Sequence, residues 1–188
     1  MTTLTVWDAT GAVLAEHTAP EALAAALATV GVGYERWRAD RALPEGAGSD
    51  AVLAAYAADV ARLKAAHGFV TGDVVRMHPA HPDRAALRAK FLDEHTHAEP
   101  EVRFFVEGEG LFVLHPPAGP DGDRVYGLRA VAGDLVFVPA GMRHWFDMGE
   151  HPRFCAIRLF TNPEGWVARY TGDRIADRFP RLPTAAPA

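Results

Sequence analysis

A chain of 188 residues, 49% of them hydrophobic, can bury one ordinary core, and nothing in it demands a second domain. Its formal net charge of -5, from 19 basic and 24 acidic residues that are interspersed, offers neither the basic footprint of a nucleic-acid binder nor a membrane-surface patch. No run approaches transmembrane length, the N-terminus lacks a basic region followed by a long apolar stretch, and Cys155 has no second cysteine to pair with. The expectation is a soluble cytoplasmic protein with one buried structural thiol.

In chain order, residues 4 to 8 and 13 to 16 predict a short hairpin around Gly11. Pro20-Glu-Ala-Leu opens an Ala-rich helix that stops near Gly31. Tyr34-Glu-Arg-Trp-Arg reads as a strand. Ser49-Asp caps a second helix, Asp50 to about His67, with Val52, Leu53, Tyr56, Val60 and Leu63 on one face. A third helix, roughly Asp83 to Phe91, leads into a strand from 95 to 107. The Val- and Phe-rich stretch from Glu101 to Leu114 is interrupted by Gly108 and Gly110 and predicts a hairpin with a glycine turn. His115 to Arg124, with three prolines and two glycines, is expected to be a hairpin loop. Gly133-Asp-Leu-Val-Phe-Val-Pro-Ala-Gly is a strand ending in a tight turn, after which His144, Phe146 and Met148 share a face. From Gly165 onward, loops and one short helix are expected. Helices first and then a run of strands is an α+β pattern.

The chemistry is concentrated in His95, His97, Glu101 and His144. If residues 95 to 107 run extended, His95, His97, Glu101 and Arg103 share one face, while Val102, Phe104 and Val106 point the other way. Such a strand lines a pocket in a barrel or sandwich. Three imidazoles and a carboxylate suit divalent iron, nickel, manganese or zinc, and the lack of thiolates weakens the case for a structural zinc. Four protein ligands on a six-coordinate ion leave two positions for a substrate with neighbouring oxygens. Arg103 would then stabilise the substrate anion. Phe91, Phe105, Phe146 and Trp166 are candidates for apolar walls, although each is individually better explained as core packing.

Blander readings apply elsewhere. His17, His67, His78, His81, His115 and His151 read as surface or satisfied core residues, and Glu94, Glu99, Glu107 and Glu109 as exposed charges. A lone His-x-His is weak evidence for metal. The joint pattern His-x-His-x3-Glu-x6-Gly with Gly-x5-Pro-x-Gly-x2-His is far stronger, because it fixes four ligands and the turns that position them.

These two motifs resemble the paired motifs of the cupin superfamily. More narrowly, Phe91-Leu-Asp-Glu-His-Thr-His, Glu101-Val-Arg-Phe-Phe-Val-Glu-Gly-Glu-Gly-Leu-Phe, Gly133-Asp-Leu-Val-Phe-Val-Pro-Ala-Gly, His144-Trp-Phe-Asp-Met-Gly and Ala156-Ile-Arg-Leu-Phe resemble the acireductone dioxygenase family of methionine salvage. The likeness extends to Glu35-Arg-Trp-Arg, Gly165-Trp-Val-Ala and Tyr170-Thr-Gly. It implies a mainly β, α+β fold: a double-stranded β-helix (jelly-roll) barrel with flanking helices in the N-terminal part. One cupin domain would span 1-188, with helical and hairpin elements over about 1-92, the metal-binding barrel over about 93-160 and a C-terminal extension over about 161-188.

The same resemblance implies one Fe(II) or Ni(II) per chain on His95, His97, Glu101 and His144. It gives Arg103 the role of forming the substrate dianion, and Glu94 a role in metal incorporation. The implied partners are acireductone and O2, with no nucleic acid or membrane, and the implied state is a monomer. Two positions depart from the family pattern. Pro100 stands where the family is usually acidic, and Ala89 stands where the superfamily motif often starts with Gly. Another metal-dependent cupin dioxygenase, a cupin isomerase and a non-catalytic binding module stay open as alternatives.

Overall fold

The computed structural model describes residues 1–44, 46–120, 122–162 and 167–183. Among these, the strands are β1 (Thr3–Asp8), β2 (Val13–His17), β3 (Gly33–Arg36), β4 (Thr71–Met77), β5 (His95–Thr96), β6 (Glu101–His115), β7 (Arg124–Val131), β8 (Asp134–Val138), β9 (Arg143–Asp147), β10 (Phe154–Phe160) and β11 (Arg169–Tyr170). The helices are α1 (Pro20–Ala28), α2 (Ser49–Ala55), α3 (Ala57–His67) and α4 (Arg84–Leu92), followed by a 3-10 turn at Ile175–Arg178.

All strand pairs are antiparallel, and they form two sheets joined through β6. One sheet runs β11-β5-β9-β6-β7-β1-β2; the other runs β4-β10-β6-β8-β3. The sheets face each other across a core containing Leu4, Phe105, Phe112, Leu128, Val136 and Ala156. Their outer faces are covered too. α2 and α3 bring Val52, Tyr56 and Leu63 against Val102, Phe104 and Ile157. The C-terminal residues Ile175, Phe179 and Leu182 lie on Trp7, Val113 and Trp145. Burial on both faces explains why β6 and β10 read as almost continuous apolar runs instead of clean alternations. The α+β, mainly β jelly roll is therefore as expected. The sheets, however, draw β1 to β4 from before residue 92, so the division into an N-terminal part and a barrel has no counterpart in the sheet topology.

Three expectations about local structure are corrected. The helix from 50 to 67 is two helices. Tyr56, 1% exposed, leaves helical geometry at φ -106° and sets its ring edge-on to Phe104 at 5.4 Å, so core packing breaks the segment. Residues 95 to 107 are not one extended strand, because the chain bends at Ala98 and Glu99 and passes from the β5 pairing with β9 to the β6 pairing with β8 and β10.

The glycine hairpin is not a hairpin either. β6 runs on for 15 residues, and Gly108 and Gly110 mark a bulge instead of a turn. Opposite Cys155 and Ala156 the register jumps from Glu107 to Phe105. One extra residue reverses the parity of everything beyond it. Before the bulge Phe105 faces the core between the sheets; after it Phe112 and Leu114 do, with Leu111 and Val113 outside. The bend also lets one strand pair with β8 and β10 in its first half and with β7 and β9 in its second. Gly108 has φ +66°, and a Cβ there would lie 1.8 Å from the Arg153 carbonyl oxygen.

Buried carboxylates pin the ends of the sheets. Asp147, fully buried, accepts from Arg88 Nε (2.7 Å) and Nη2 (3.1 Å), Gly149 N (2.9 Å) and Leu182 N (2.8 Å). It thereby ties α4 and the C-terminal segment to β9. Asp134 does the same at the other end, accepting from the Thr2 and Tyr34 hydroxyls, Arg36 and Val131 N.

Gly108→Ala should cost about 2 kcal/mol or more, through forced positive φ and the clash with backbone. Gly119→Ala, where a Cβ meets nothing within 4 Å, should be near neutral. Urea denaturation of the two variants would test this, and equal midpoints would refute the bulge argument. Burial alone would raise the Asp147 carboxyl, but its hydrogen bonds from Arg88, Gly149 and Leu182 outweigh burial and hold it below the ordinary 3.8. That stabilisation is complete above the unfolded value and is lost as pH falls through the lower folded value. Asp147→Asn should therefore cost about 3 kcal/mol at neutral pH. The gap to wild type should narrow below pH 3.8, and a pH-independent gap would contradict the assignment.

Candidate metal centre

The site is assembled from three places in the chain. His95 lies on β5 directly opposite His144 on β9, their rings 4.4 Å apart; His97 follows just beyond β5, and Glu101 opens β6. The Pro139-Ala-Gly turn that leads into β9 is bonded to the first motif, since Gly141 N donates to the His97 carbonyl at 2.9 Å. Gly141 has φ +76°, which the turn requires.

One ligand atom from each of His95, His97 and His144 lies within 4.8 Å of the other two, and all three residues are buried. Each ring is oriented through Nδ1, which donates to a backbone carbonyl: His95 to Asp93 (2.8 Å), His144 to Met142 (2.8 Å) and His97 to Val167 (3.2 Å). With the proton on Nδ1, the Nε2 lone pair is left free.

Glu101 stands beside the three histidines. Its Oε1 accepts from Arg103 Nε (3.0 Å) and Nη2 (2.7 Å). Oε2 lies 3.5 Å from His97 Nε2 and 3.9 Å from His144 Nε2. Glu101 Oε2 and His144 Nε2 are buried and have no hydrogen-bond partner among the described residues. Native interiors rarely leave such atoms unsatisfied, and a divalent cation between them would satisfy both.

The charge states agree with that fit. Burial alone would raise the Glu101 carboxyl, but Arg103 above all, with His144, Arg158 and His97, brings it down to about 2. Burial, helped by neighbouring His95, pushes His144 down to about 3, and burial lowers His95. At neutral pH Glu101 is thus an ionised carboxylate and His95 and His144 are unprotonated imidazoles, the forms that bind metal.

A cavity of about 190 Å³ opens on His95, His97 and His144, lined also by Phe91, Phe146, Arg103, Arg158, Ala168 and Tyr170. The Arg103 guanidinium lies 5.0 Å from the ring centroids of both Phe112 and Phe146. Of the expected wall residues, Phe91 and Phe146 are on the cavity. Phe105 points to the same side as Arg103 but lies one layer behind, packed on Phe146 and Phe154. Trp166 falls outside the described residues.

Arg158 and Tyr170 were not anticipated. Arg158 is held by Asp73 at 2.9 and 2.6 Å and stands opposite Arg103 in the β6/β10 register. The available signal was a charge at an inward position of the otherwise apolar strand Phe154-Cys-Ala-Ile-Arg-Leu-Phe. Cys155 is buried, as expected.

Glu94 is not an exposed charge. At 1% exposure it accepts from His115 Nδ1 (2.5 Å) and the Thr171 hydroxyl (2.7 Å). Glu99, Glu107 and Glu109 are half-buried and paired with Thr161, Arg76 and Arg129. His115 is a satisfied core residue, bonded to Glu94 and Asp123.

A model of the ARD/ARD' family matches residues 5–168. Acireductone dioxygenase of Pseudomonas aeruginosa (strain UCBPP-PA14) is 57% identical over 162 residues, 86% of this chain and 87% of that protein. Acireductone dioxygenase of Synechococcus sp. (strain CC9605) is 56% identical over 167 residues, 89% of this chain and 87% of that protein. Among solved structures, acireductone dioxygenase from Bacillus anthracis, with a cadmium ion in its active centre, superposes with a TM-score of 0.78 at 28% identity, covering 90% of this chain and 98% of that one. A match over residues 5–168, relatives at this identity over most of both chains, and a shared fold that carries a metal in the neighbour place this chain in the ARD/ARD' family, the acireductone dioxygenases.

Proposed function

We propose that the protein is a metal-dependent dioxygenase that cleaves acireductone, 1,2-dihydroxy-3-oxo-5-(methylthio)pent-1-ene, with O2 in methionine salvage. Its metal would be one Fe(II) or Ni(II) per chain on His95, His97, Glu101 and His144. The observation that carries the reading is the Glu101 carboxylate, with one oxygen fixed by Arg103 and the other buried and unpartnered among the imidazoles.

A divalent ion on these four side chains supplies Lewis acidity and a template for an enediol's neighbouring oxygens. The chain itself supplies the rest. Two guanidiniums, Arg103 and Arg158, face the cavity, and their permanent charges in a water-poor space favour the ionised enediol over the neutral one. Arg103 cannot swing away, because Glu101 and two aromatic rings hold it, and Asp73 fixes Arg158. Phe91, Phe146 and Ala168 offer apolar surface to the methylthio end. Glu94 takes part in metal incorporation in this reading. The enzyme acts in the cytoplasm as a monomer; no described helix is long and apolar enough to cross a membrane.

The decisive experiment is anaerobic reconstitution of the metal-free protein with Fe(II) or Ni(II), followed by acireductone and oxygen. Iron should give 4-methylthio-2-oxobutanoate and formate, and nickel should give 3-(methylthio)propanoate, formate and carbon monoxide. No oxygen uptake by fully loaded protein would overturn the assignment in favour of a binding module or isomerase.

His97→Ala should lose the metal, and a fully metallated, active variant would break the ligand assignment. Arg103→Ala removes both donors to Glu101 Oε1 and so should loosen the metal as well as slow turnover. At matched metal loading its kcat should still fall by roughly 10²-fold or more, as for other preorganised charges at a developing anion. Unchanged turnover per bound metal would remove Arg103 from the chemistry.

A further inference from the structure

The three imidazoles are not oriented in the same way. His95 and His144 each donate Nδ1 to the carbonyl two residues earlier in their own segment, so their rings are set locally. His97 instead relies on Val167, 70 residues away, at 3.2 Å. The orientation of one ligand is thus handed to the C-terminal segment 167–171.

That segment is short and exposed, with Val167 and Tyr170 about half accessible, and it has little apolar burial of its own to hold it. It is held by β11 pairing with β5, Tyr170 opposite His95 and Arg169 opposite Thr96. Beyond that pairing a single residue closes it. Thr171 N donates to the Glu94 carbonyl at 3.0 Å, and the Thr171 hydroxyl donates to Glu94 Oε2 at 2.7 Å. Glu94 is an unyielding anchor: it is buried, and its other oxygen accepts from His115, which Asp123 braces from the far side.

We propose that Thr171 is a positioning residue for the metal centre. By latching segment 167–171 onto Glu94, it holds the Val167 carbonyl on His97 Nδ1 and the Tyr170 ring against His95, 5.8 Å away. The latch acts on the donor set and does not touch the cavity itself, as Ala168 and Tyr170 do. This inference rests on the metal assignment made above. Its chemistry is that of an outer hydrogen bond fixing a ligand's ring, whose loss typically costs 10- to 100-fold in metal affinity.

The test compares Ni(II)-loaded wild type, Thr171→Val and Thr171→Ser by the rate at which excess chelator strips the metal, beside thermal unfolding of the metal-free proteins. Thr171 is exposed, and valine keeps its shape while removing only the hydroxyl. Thr171→Val should lose Ni(II) about tenfold faster or more. Thr171→Ser should behave as wild type in release rate and in metal-free unfolding temperature, whereas Thr171→Val, which strips a donor from the buried Glu94 carboxylate, should also unfold somewhat earlier without metal. Wild-type release from Thr171→Val, or release from Thr171→Ser as fast as from Thr171→Val, would each overturn the latch. Wild type that retains no Ni(II) at all would instead bring down the metal assignment on which it stands.

Discussion

A carboxylate sealed inside a β-barrel is expensive to keep ionised, and the centre of this molecule is arranged around keeping Glu101 so. Arg103 takes one oxygen with two donors from two residues along the same strand, and Arg158 adds charge from the facing strand. Both arginines need compensation in turn. Arg103 finds it in Glu101 and in the faces of Phe112 and Phe146, and Arg158 in Asp73 at the edge strand β4. What these pairings leave unsatisfied is the Glu101 Oε2 beside the histidine nitrogens. That is where a cation gains most and where removing any one partner leaves another buried group uncompensated.

The bulge in β6 is what allows a single strand to bring this about. Ahead of the bulge, odd positions face inward and place Glu101 and Arg103 on the cavity side; after it, even positions do, and Phe112 stacks on His144 at 5.3 Å with an interplanar angle of 15°. Without the extra residue either the charged pair or the aromatic floor would turn outward into the apolar layers that cover the sheets. Gly108 and Gly110 are therefore functional residues at one remove. The first holds a backbone conformation that side chains rarely adopt, with the Arg153 carbonyl 1.8 Å from where its Cβ would be, and the second leaves room for the Phe146 ring, 2.3 Å from where its Cβ would be.

The cluster of His95, His97 and His144 was legible in the sequence because its signal is redundant: candidate metal-binding side chains, with the turn residues between them, must all occur at fixed spacing. The fold class was legible for the same kind of reason, since apolar runs punctuated by glycine are hard to read otherwise. What failed was inference from a single periodicity. Parity along 95 to 107 correctly paired Glu101 with Arg103, yet it could not register the bend at Ala98 and Glu99 that puts His95 and Glu101 in different sheets. Glycine marks bulges as readily as turns, and only the register with β10 separates the two. β4 escaped notice because its residues are nearly all half-buried and show no alternation, and β11 because two residues carry no pattern. Glu94 looked like a surface charge because nothing near it in the chain reveals that His115 and Thr171 converge on it.

Local and long-range control are divided unevenly over the metal centre, and this has a consequence for stability. His95 and His144 are fixed by short-range hydrogen bonds inside a sheet whose other face is buried under the C-terminal apolar cluster. Their geometry should persist as long as the barrel does. His97 lies outside any strand, between the bend and β5, and its two tethers are a turn, through Gly141 N, and the exposed segment ending at Thr171. Segments with few buried contacts open first and at a fraction of the global unfolding free energy. The third imidazole is therefore the one whose position costs least to disturb while the rest of the barrel stays folded.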